Sequence, residues 1–318
     1  MQAISMLVAA LILSALAASP LQANKAYPNR TVRIVNPYVA DSTTDLLARA
    51  LAIGLSNRLG QQFIVENRAG AGGALGTASV VRAKADGYTL LFAPALVLSV
   101  HPQSRNDAGY KPDSLVPVCQ TFTNAMAIAV SMESPIKNIA DLVNAAKQKP
   151  GALNYGHQGP LTVPHLAMEE FLQAANISIK DVPFRGEPLV LIDLLDGRID
   201  VASLVLGTAT GQNVRIIGIF SETRHPSHPD VPTVKEQGYD VSAASFGGLF
   251  APQKTPRRIL TKLGSACAGA AKDESYASAA KRAAQTDDYY SDANSFRQRL
   301  QRDTERKAEV LRRVAVPP

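Results

Sequence analysis

The sequence predicts an α/β protein whose chain forms two lobes around a ligand cleft. Short apolar strands alternate with helical patterns from Val32 to Phe220, which is typical of an open α/β sheet. The alternation runs in two successive layers, and in each layer a polar or glycine-rich turn precedes a helix. Ligands of such sheets bind beyond the carboxyl ends of the strands, so the two turns are expected to face each other. A chain of 318 residues is long enough for two separate cores.

The composition is that of a globular protein. Hydrophobic residues make up 46% of the chain and charged residues 19%, which excludes an extended disordered protein. The net charge of +6 is spread along the sequence. Its densest part, Arg297 to Arg313, also contains acidic residues and is typical of a solvated helix face. No nucleic-acid motif accompanies it, so no nucleic-acid partner is expected.

The N-terminus predicts export. The stretch from Met6 to Ala18 is largely apolar and too short to span a bilayer, and small residues follow it up to Ala23. This pattern fits a secretory signal peptide of residues 1–23 with cleavage after Ala23. The absence of Lys or Arg before the apolar run departs from the usual pattern. We expect a periplasmic protein.

The chain has two cysteines, Cys119 and Cys267. In an exported protein such a pair either forms a disulfide or remains as two buried thiols, and the sequence leaves both open. Neither cysteine belongs to a CxxC motif. No metal site and no cofactor are expected.

The first strand–turn–helix unit is a candidate anion site. Val32 to Val35 form a β-branched strand, and Leu47, Leu51 and Leu55 mark the buried stripe of a helix. The turn Asp41 to Thr44 supplies hydroxyls that can cap this helix. Free N–H groups and the helix dipole favour anions there. The alternative is that these hydroxyls only cap the helix.

A glycine-rich turn follows the second strand, Gln62 to Glu66. Its glycines at 70, 72 and 76 have the spacing GxGxxxG rather than GxGxxG, and no acidic residue ends the next strand, Tyr88 to Phe92. A dinucleotide site is therefore disfavoured, because the residue that would hold a ribose is missing. Close backbone approach to a smaller ligand fits the glycines better.

The second layer repeats the pattern. Strands are predicted at Leu115–Val118 and Ala125–Val130, and a glycine-bounded turn at Asn154–Gly159. The remaining expectations are helices at Ile139–Lys149, Pro164–Ala175 and Leu189–Asp196, strands at Asp181–Phe184, Ile199–Leu206 and Arg215–Phe220, and helices from Phe250 onward, interrupted near Thr286–Ser291.

A series of short motifs in order carries a family resemblance. They are Tyr27-Pro28, Glu66–Gly73, Asp86–Leu91, Pro117-Val118, Asn154–Gly156, His165-Leu166, Asp193–Leu195, Pro229–Thr233, Ala251-Pro252 and Thr255-Pro256. Together they make the chain similar to the Bug family of extracytoplasmic solute receptors, the binding components of tripartite tricarboxylate transporters. The resemblance runs from about Tyr27 to the C-terminus.

This resemblance implies a monomeric, two-lobed periplasmic-binding-protein type II fold with the ligand cleft between the lobes. Residues 27–121 and 247–318 would form the first lobe and residues 122–246 the second. It implies no catalysis, a small carboxylate ligand and membrane transporter subunits as partners. A sensor kinase that reads the liganded receptor is the alternative partner.

Two loops and one helix are expected to hold the ligand. The resemblance and the turns together give these candidate residues: Tyr38, Asp41, Ser42, Thr43, Thr44, Asp45, Gly72, Gly73, Gly156, His157, Gln158, Gly159, Thr162 and Asp193. Each has a structural alternative, such as helix capping for Thr44 and charge–dipole stabilisation for Asp45.

Asp41 and Ser42 stand where the family usually has Gly-Gly. A carboxylate near the anion site would repel a highly charged ligand, so we expect a monoanion or zwitterion. Ser42, His157 and Asp193 could also be imagined as a nucleophile set. No GxSxG or HExxH motif supports such an enzyme.

Overall fold

The computed structural model describes residues 26–104, 109–286 and 289–313, so the expected signal peptide lies outside the described residues. They form a ten-stranded sheet with helices packed against it. Its strands are β1 Val32–Asn36, β2 Phe63–Asn67, β3 Thr89–Pro94, β4 Leu115–Ser131, β5 Asn154–His157, β6 Lys180–Pro183, β7 Val201–Val205, β8 Val214–Ile219, β9 Ala244–Pro252 and β10 Ser291–Asp292.

The helices follow the strands in most connections. They are α1 Thr43–Leu59, α2 Ala74–Val81, α3 Leu96–Ser99, α4 His101–Ser104, α5 Ile139–Gln148, α6 Val163–Ala175, α7 Glu187–Leu195, α8 Leu206–Ala209, α9 Arg257–Ala270, α10 Glu274–Arg282 and α11 Ala293–Arg313. A short 3₁₀ turn, Ala71–Gly73, precedes α2. Within the described ranges, no helix combines the length and the apolar character that a membrane span requires.

Strand β4 joins the two lobes. Residues 115–125 pair antiparallel with β9, and β9 continues to β3, β1 and β2. Residues 126–131 pair instead with β7 and β8, and β7 continues to β5 and β6. We call the part with β1, β2, β3, β9 and β10 the first lobe and the part with β5, β6, β7 and β8 the second lobe. The two-lobed α/β fold expected from the sequence is confirmed.

Separate apolar clusters fill the lobes. In the first lobe, α1 packs its stripe of Leu47, Leu51 and Leu55, all fully buried, against the sheet and against α9 and α10. In the second lobe, α5 and α6 cover one face of the sheet. Cys119 of β4 and Cys267 of α9 form a disulfide, which resolves the alternative that the sequence left open.

Most predicted elements are present, with differences in three places. One is β9, Ala244–Pro252, a strand that the sequence analysis did not predict. The strands expected at 115–118 and 125–130 are one continuous strand, β4. The turn expected at 154–159 begins as strand β5 and turns only after His157. The domain boundaries at 121/122 and 246/247 stay a prediction, although the pairing of β4 changes partner close to the first of them.

Candidate functional site

The two lobes meet where helices of each lobe begin. Three close approaches join them, and we call this region the interlobe junction. Its residues are Val39, Thr43 and Gly72 of the first lobe and Pro160, Gly186 and Thr208 of the second.

Side chains and backbone both contribute to the junction. The hydroxyls of Thr43 and Thr208 share a hydrogen bond of 2.9 Å. A Cβ at Gly72 would lie 2.8 Å from the Pro160 carbonyl oxygen, so only glycine allows this approach. A Cβ at Gly186 would likewise lie 2.6 Å from a methyl carbon of Val39. The start of α1 therefore contacts α8, the segment before α1 lies against Gly186 before α7, and the glycine-rich turn lies against the loop before α6.

The first turn of α1 shows why the polar run 41–45 folds locally. Ser42 is the N-cap: its Oγ accepts a hydrogen bond from the Asp45 N–H at 3.3 Å and donates to the Val39 carbonyl at 2.9 Å. Ser42, Thr43 and Thr44 are all buried. The Ser42 hydroxyl is thus occupied by capping, whereas Thr43 reaches the second lobe.

Asp45 has structural partners for its carboxylate. It accepts hydrogen bonds from Arg49 Nε at 2.9 Å, from Asn67 Nδ2 at 2.8 Å and from the Asp41 N–H at 3.2 Å. Burial alone would raise the pKa of Asp45, but these hydrogen bonds and the Arg49 charge lower it below its usual value. Asp45 therefore fixes the loop geometry, and its role as a ligand contact stays a prediction.

Tyr38 and the glycine-rich turn form one wall of the junction. The Tyr38 hydroxyl donates to the Gly72 carbonyl at 3.3 Å, and a Cβ at Gly73 would lie 3.3 Å from the Tyr38 hydroxyl oxygen. Gly72 and Gly73 have φ values of 65° and 104°. Burial raises the pKa of Tyr38, and Tyr110 and Glu187 add to the rise. Glu187 belongs to the second lobe, so its influence on the pKa of Tyr38 shows that the two lobes are close together at this ring.

The second candidate loop, residues 156–162, differs from the expectation because its first two residues belong to strand β5. Gly156 lies within β5, where a Cβ would meet Ile199 at 2.5 Å, so packing explains this glycine. His157 is fully buried, and Gln158 is half-buried. Gly159 has a φ of 121°, and its carbonyl accepts a hydrogen bond of 2.8 Å from the Thr162 hydroxyl, which stands at the N-cap of α6.

Glu187 is a site residue that the sequence reasoning missed. It is buried in the first turn of α7, and its carboxylate accepts from Thr208 Oγ1 at 2.6 Å and from the Val205 N–H at 2.9 Å. Because the Thr208 hydroxyl donates its proton to the Glu187 carboxylate, the Thr43 hydroxyl donates to Thr208. Burial raises the pKa of Glu187, and its two hydrogen bonds oppose that rise. Pro188 was a signal in the sequence that a helix begins here, because proline is favoured in the first turn of a helix.

Two acidic candidates lie apart from these contacts. Asp41 is exposed and has a φ of 62°, the left-handed conformation that glycine adopts more easily. Asp193 lies in the last turn of α7 and pairs with Arg198 at 2.7 Å. Asp193 is six residues beyond Glu187, which is about 9 Å along a helix. Ligand roles for both residues stay predictions.

The imagined nucleophile set does not assemble through any contact of these side chains. Ser42 Oγ is bonded to Val39 and Asp45, and the His157 ring stacks on His165 with 4.4 Å between centroids. Asp193 is held by Arg198. Each of the three candidates thus has its own structural partners.

Two surface cavities lie elsewhere in the first lobe. One of about 440 Å³ is lined by residues of β4, α9 and α11, including Arg257 and Tyr290. Another of about 360 Å³ is lined by Pro112, Leu115 and Leu300 among others. Neither includes a residue of the interlobe junction, so the convergence of helix starts rather than cavity size marks the candidate site.

Comparison with known sequences gives a consistent result. The family model of the tripartite tricarboxylate transporter family receptor matches residues 47–316. A Pseudomonas sp. (strain P51) protein from the tcbD–tcbE intergenic region is 34% identical over 251 residues, 75% of this chain and 73% of the relative. Protein BugT of Bordetella pertussis is 31% identical over 253 residues, 77% of each chain.

Solved structures agree with the sequence matches. The periplasmic binding protein BugD superposes with a TM-score of 0.85 at 26% identity, over 91% of this chain and 99% of its own. An R. palustris protein with adipate gives 0.85 at 26%, over 92% and 99%. MatC from Rhodopseudomonas palustris with bound malate gives 0.82 at 25%, over 89% and 99%.

Proposed function

This chain belongs to the tripartite tricarboxylate transporter receptor family, and we propose that it captures a small carboxylate between its two lobes. The family consists of solute-binding receptors, so the proposed activity is binding without a catalytic step. We further propose that an N-terminal signal peptide directs export to the periplasm. There the liganded receptor would meet the membrane subunits of its transporter.

The observation that carries this proposal is the meeting of helix N-termini from both lobes. The start of α1 contacts the second lobe through Thr43, and the turn before α2 contacts the loop before α6 through Gly72. Helix N-termini present unpaired N–H groups and the positive end of the dipole. A carboxylate bound here would receive donors from two lobes at once, which couples binding to lobe closure.

The position of Glu187 supports a ligand of low negative charge. Its buried carboxylate stands at the junction, where a dicarboxylate would bring a second anionic group close to it. Two like charges in one buried site disfavour joint ionisation. We therefore propose a monocarboxylate or an amino acid, whose second polar group is neutral or cationic. This replaces exposed Asp41 by Glu187 as the residue that limits ligand charge.

A thermal-shift panel of mono-, di- and tricarboxylates and amino acids, followed by calorimetry on the hits, tests both parts of the proposal. Binding at a hundred times Kd would stabilise the folded protein by roughly 2.7 kcal/mol. Glu187→Gln should raise dicarboxylate affinity relative to monocarboxylate affinity. Hits confined to sugars, polyamines or metals would refute the carboxylate proposal. A wild-type preference for a dicarboxylate or a tricarboxylate would refute only the charge argument.

The transport role has a separate test. Deleting the genes for the membrane subunits should abolish uptake of the radiolabelled acid that binds best, and deleting the receptor gene should do the same. If uptake persisted in both strains and a sensor kinase lost its response instead, the receptor would serve signalling.

A further inference from the structure

We propose that His157, His165 and Asp181 form a binding site for a borderline divalent transition-metal ion, represented here by Zn²⁺, on the edge of the second lobe. One ring nitrogen from each histidine and one Asp181 carboxylate oxygen lie within 4.8 Å of one another. We call these three residues the His–His–Asp cluster. The site lies outside the contacts that define the interlobe junction, but the His157 and His165 rings contact Gly159 and Leu161 of the loop that leads to it. The inference does not require the carboxylate proposal.

The alternation of β5 brings the cluster together. Gly156 faces Val190 and Ile199, so Tyr155 and His157 point to the opposite face of the sheet, where the His157 ring stacks on His165 of α6. Asp181 lies on β6, the strand parallel to β5 at the edge of the sheet. Three elements thus each supply one ligand to the same point.

His157 gives a second, independent indication of a ligand. Its side chain is fully buried, and its Nε2 atom has no hydrogen-bond partner among the described residues. Nε2 lies 3.5 Å from Asp181 Oδ2, beyond the usual range for an N–H···O hydrogen bond. His157 Nδ1 lies 3.0 Å from the Gly159 carbonyl oxygen and 3.2 Å from the Gly159 backbone nitrogen, so the ring can either donate to the first or accept from the second. In the tautomer that donates to the carbonyl, Nε2 carries a lone pair directed at the Asp181 carboxylate. A cation between the two atoms would satisfy both.

The hydrogen bonds around His157 resemble those of metal-bound histidines. Such a histidine donates its other ring N–H to a carbonyl or carboxylate, which fixes its tautomer. The Gly159 carbonyl oxygen, 3.0 Å from His157 Nδ1, is placed to accept this bond when Nε2 binds the ion. Two imidazoles and one carboxylate suit Zn²⁺ with an open fourth position. Tetrahedral bonds of 2.0–2.1 Å separate ligand atoms by about 3.3 Å. The 3.5 Å between His157 and Asp181 already approaches that separation.

The remaining ligands require small adjustments. His165 Nδ1 accepts a hydrogen bond of 3.2 Å from the Leu161 N–H, and this bond is given up whichever ring nitrogen of His165 binds the ion. Asp181 is 54% exposed, so it can move inward and gives the ion a path from solvent. Glu169 lies one helical turn beyond His165, and its carboxylate accepts a hydrogen bond from the Tyr155 hydroxyl. This carboxylate adds negative charge beside the site.

Calorimetric titration of the tag-free, chelator-treated protein with ZnCl₂ tests the site, without any carboxylic acid in the buffer. Wild type should bind one Zn²⁺ per chain, and Asp181→Ala should weaken binding at least about tenfold. The matched control is Asp240→Ala, since Asp240 is an exposed carboxylate outside the cluster. It should bind as wild type does.

A cobalt spectrum provides a readout of the ligands themselves. Co²⁺ in wild type should give the intense visible bands of a low-coordinate nitrogen and oxygen site, and Asp181→Ala should lose them. His228→Gln tests the other close histidine pair, His225 and His228, and should leave the bands unchanged. Absence of stoichiometric binding to wild type, or equal Zn²⁺ affinity in Asp181→Ala, would overturn the proposal. Because Asp181 is exposed, this variant stays informative even if His157→Ala does not fold.

Discussion

Replacing Gly72 by alanine should prevent full contact between the lobes. Its Cβ would lie 2.8 Å from the Pro160 carbonyl oxygen, about 0.6 Å closer than an ordinary contact. Gly72 also has a φ of 65°, where an alanine costs about 1–2 kcal/mol. The clash therefore acts on lobe closure, and the backbone conformation acts on folding.

Gly60 offers a control that separates the two effects. It has a φ of 67°, and a Cβ there would meet no atom within 4 Å. Gly60→Ala and Gly72→Ala should lose similar amounts of stability from the backbone alone. Only Gly72→Ala adds an overpacked interlobe contact, for which about 1–3 kcal/mol is typical. That range corresponds to a loss of roughly 5–150-fold in ligand affinity.

The comparison needs urea unfolding for stability and calorimetry for affinity, with the acid that gives the largest thermal shift. The expected result is a similar midpoint change in both variants and weaker binding in Gly72→Ala alone. Equal affinity in the two variants would refute the reasoning that closure at Gly72 and Pro160 is part of ligand capture.

Three further predictions concern single interactions. Thr43→Val should weaken ligand binding by about 0.5–1.5 kcal/mol because it removes the donor to Thr208, whereas Thr43→Ser should bind as wild type in calorimetry. Partners lower the pKa of Asp45 below its unfolded value, so its stabilisation is present at neutral pH and is lost as the pH falls through the folded pKa. Urea unfolding should show wild type more stable than Asp45→Asn by about 1.5–3 kcal/mol at pH 7 and by much less near pH 2; a pH-independent gap would contradict this. Replacing Cys119 and Cys267 by serine should cost about 2–5 kcal/mol in the same assay, and an unchanged midpoint would show that the bridge does not stabilise the fold.

Local patterns carried enough information for most elements of the fold. The leucine stripe and hydroxyl turn of α1 predicted both its buried face and its start, because periodicity and capping are properties of neighbouring residues. The sequence analysis divided β4 into two strands because four of the six residues from 119 to 124 are polar. There the Thr123 N–H donates to Gln285 Oε1 at 2.7 Å, and Arg299 donates to Gln120 and Thr123. Partners that are more than 150 residues away cannot be seen in a local pattern.

The candidate site, too, was predictable where local sequence determines it and not where tertiary contacts do. The turns near Thr43 and Gly72 were visible as helix starts, and the structure brings both to the junction. Glu187 was missed because its meaning depends on Thr208 and Val205, which tertiary packing places beside it. His157 was predicted on a loop, but it lies in a strand with a buried ring. Sequence spacing indicates which backbone can bind an anion, whereas side-chain partners depend on the fold.

A crystal structure with the acid that stabilises the protein most would test the central claim directly. We predict a carboxylate group between the start of α1 and the loop that precedes α6, with the hydrogen bond between Thr43 and Thr208 retained. A ligand bound in one of the first-lobe cavities, or lobes that bind it without contact between Gly72 and Pro160, would contradict the account.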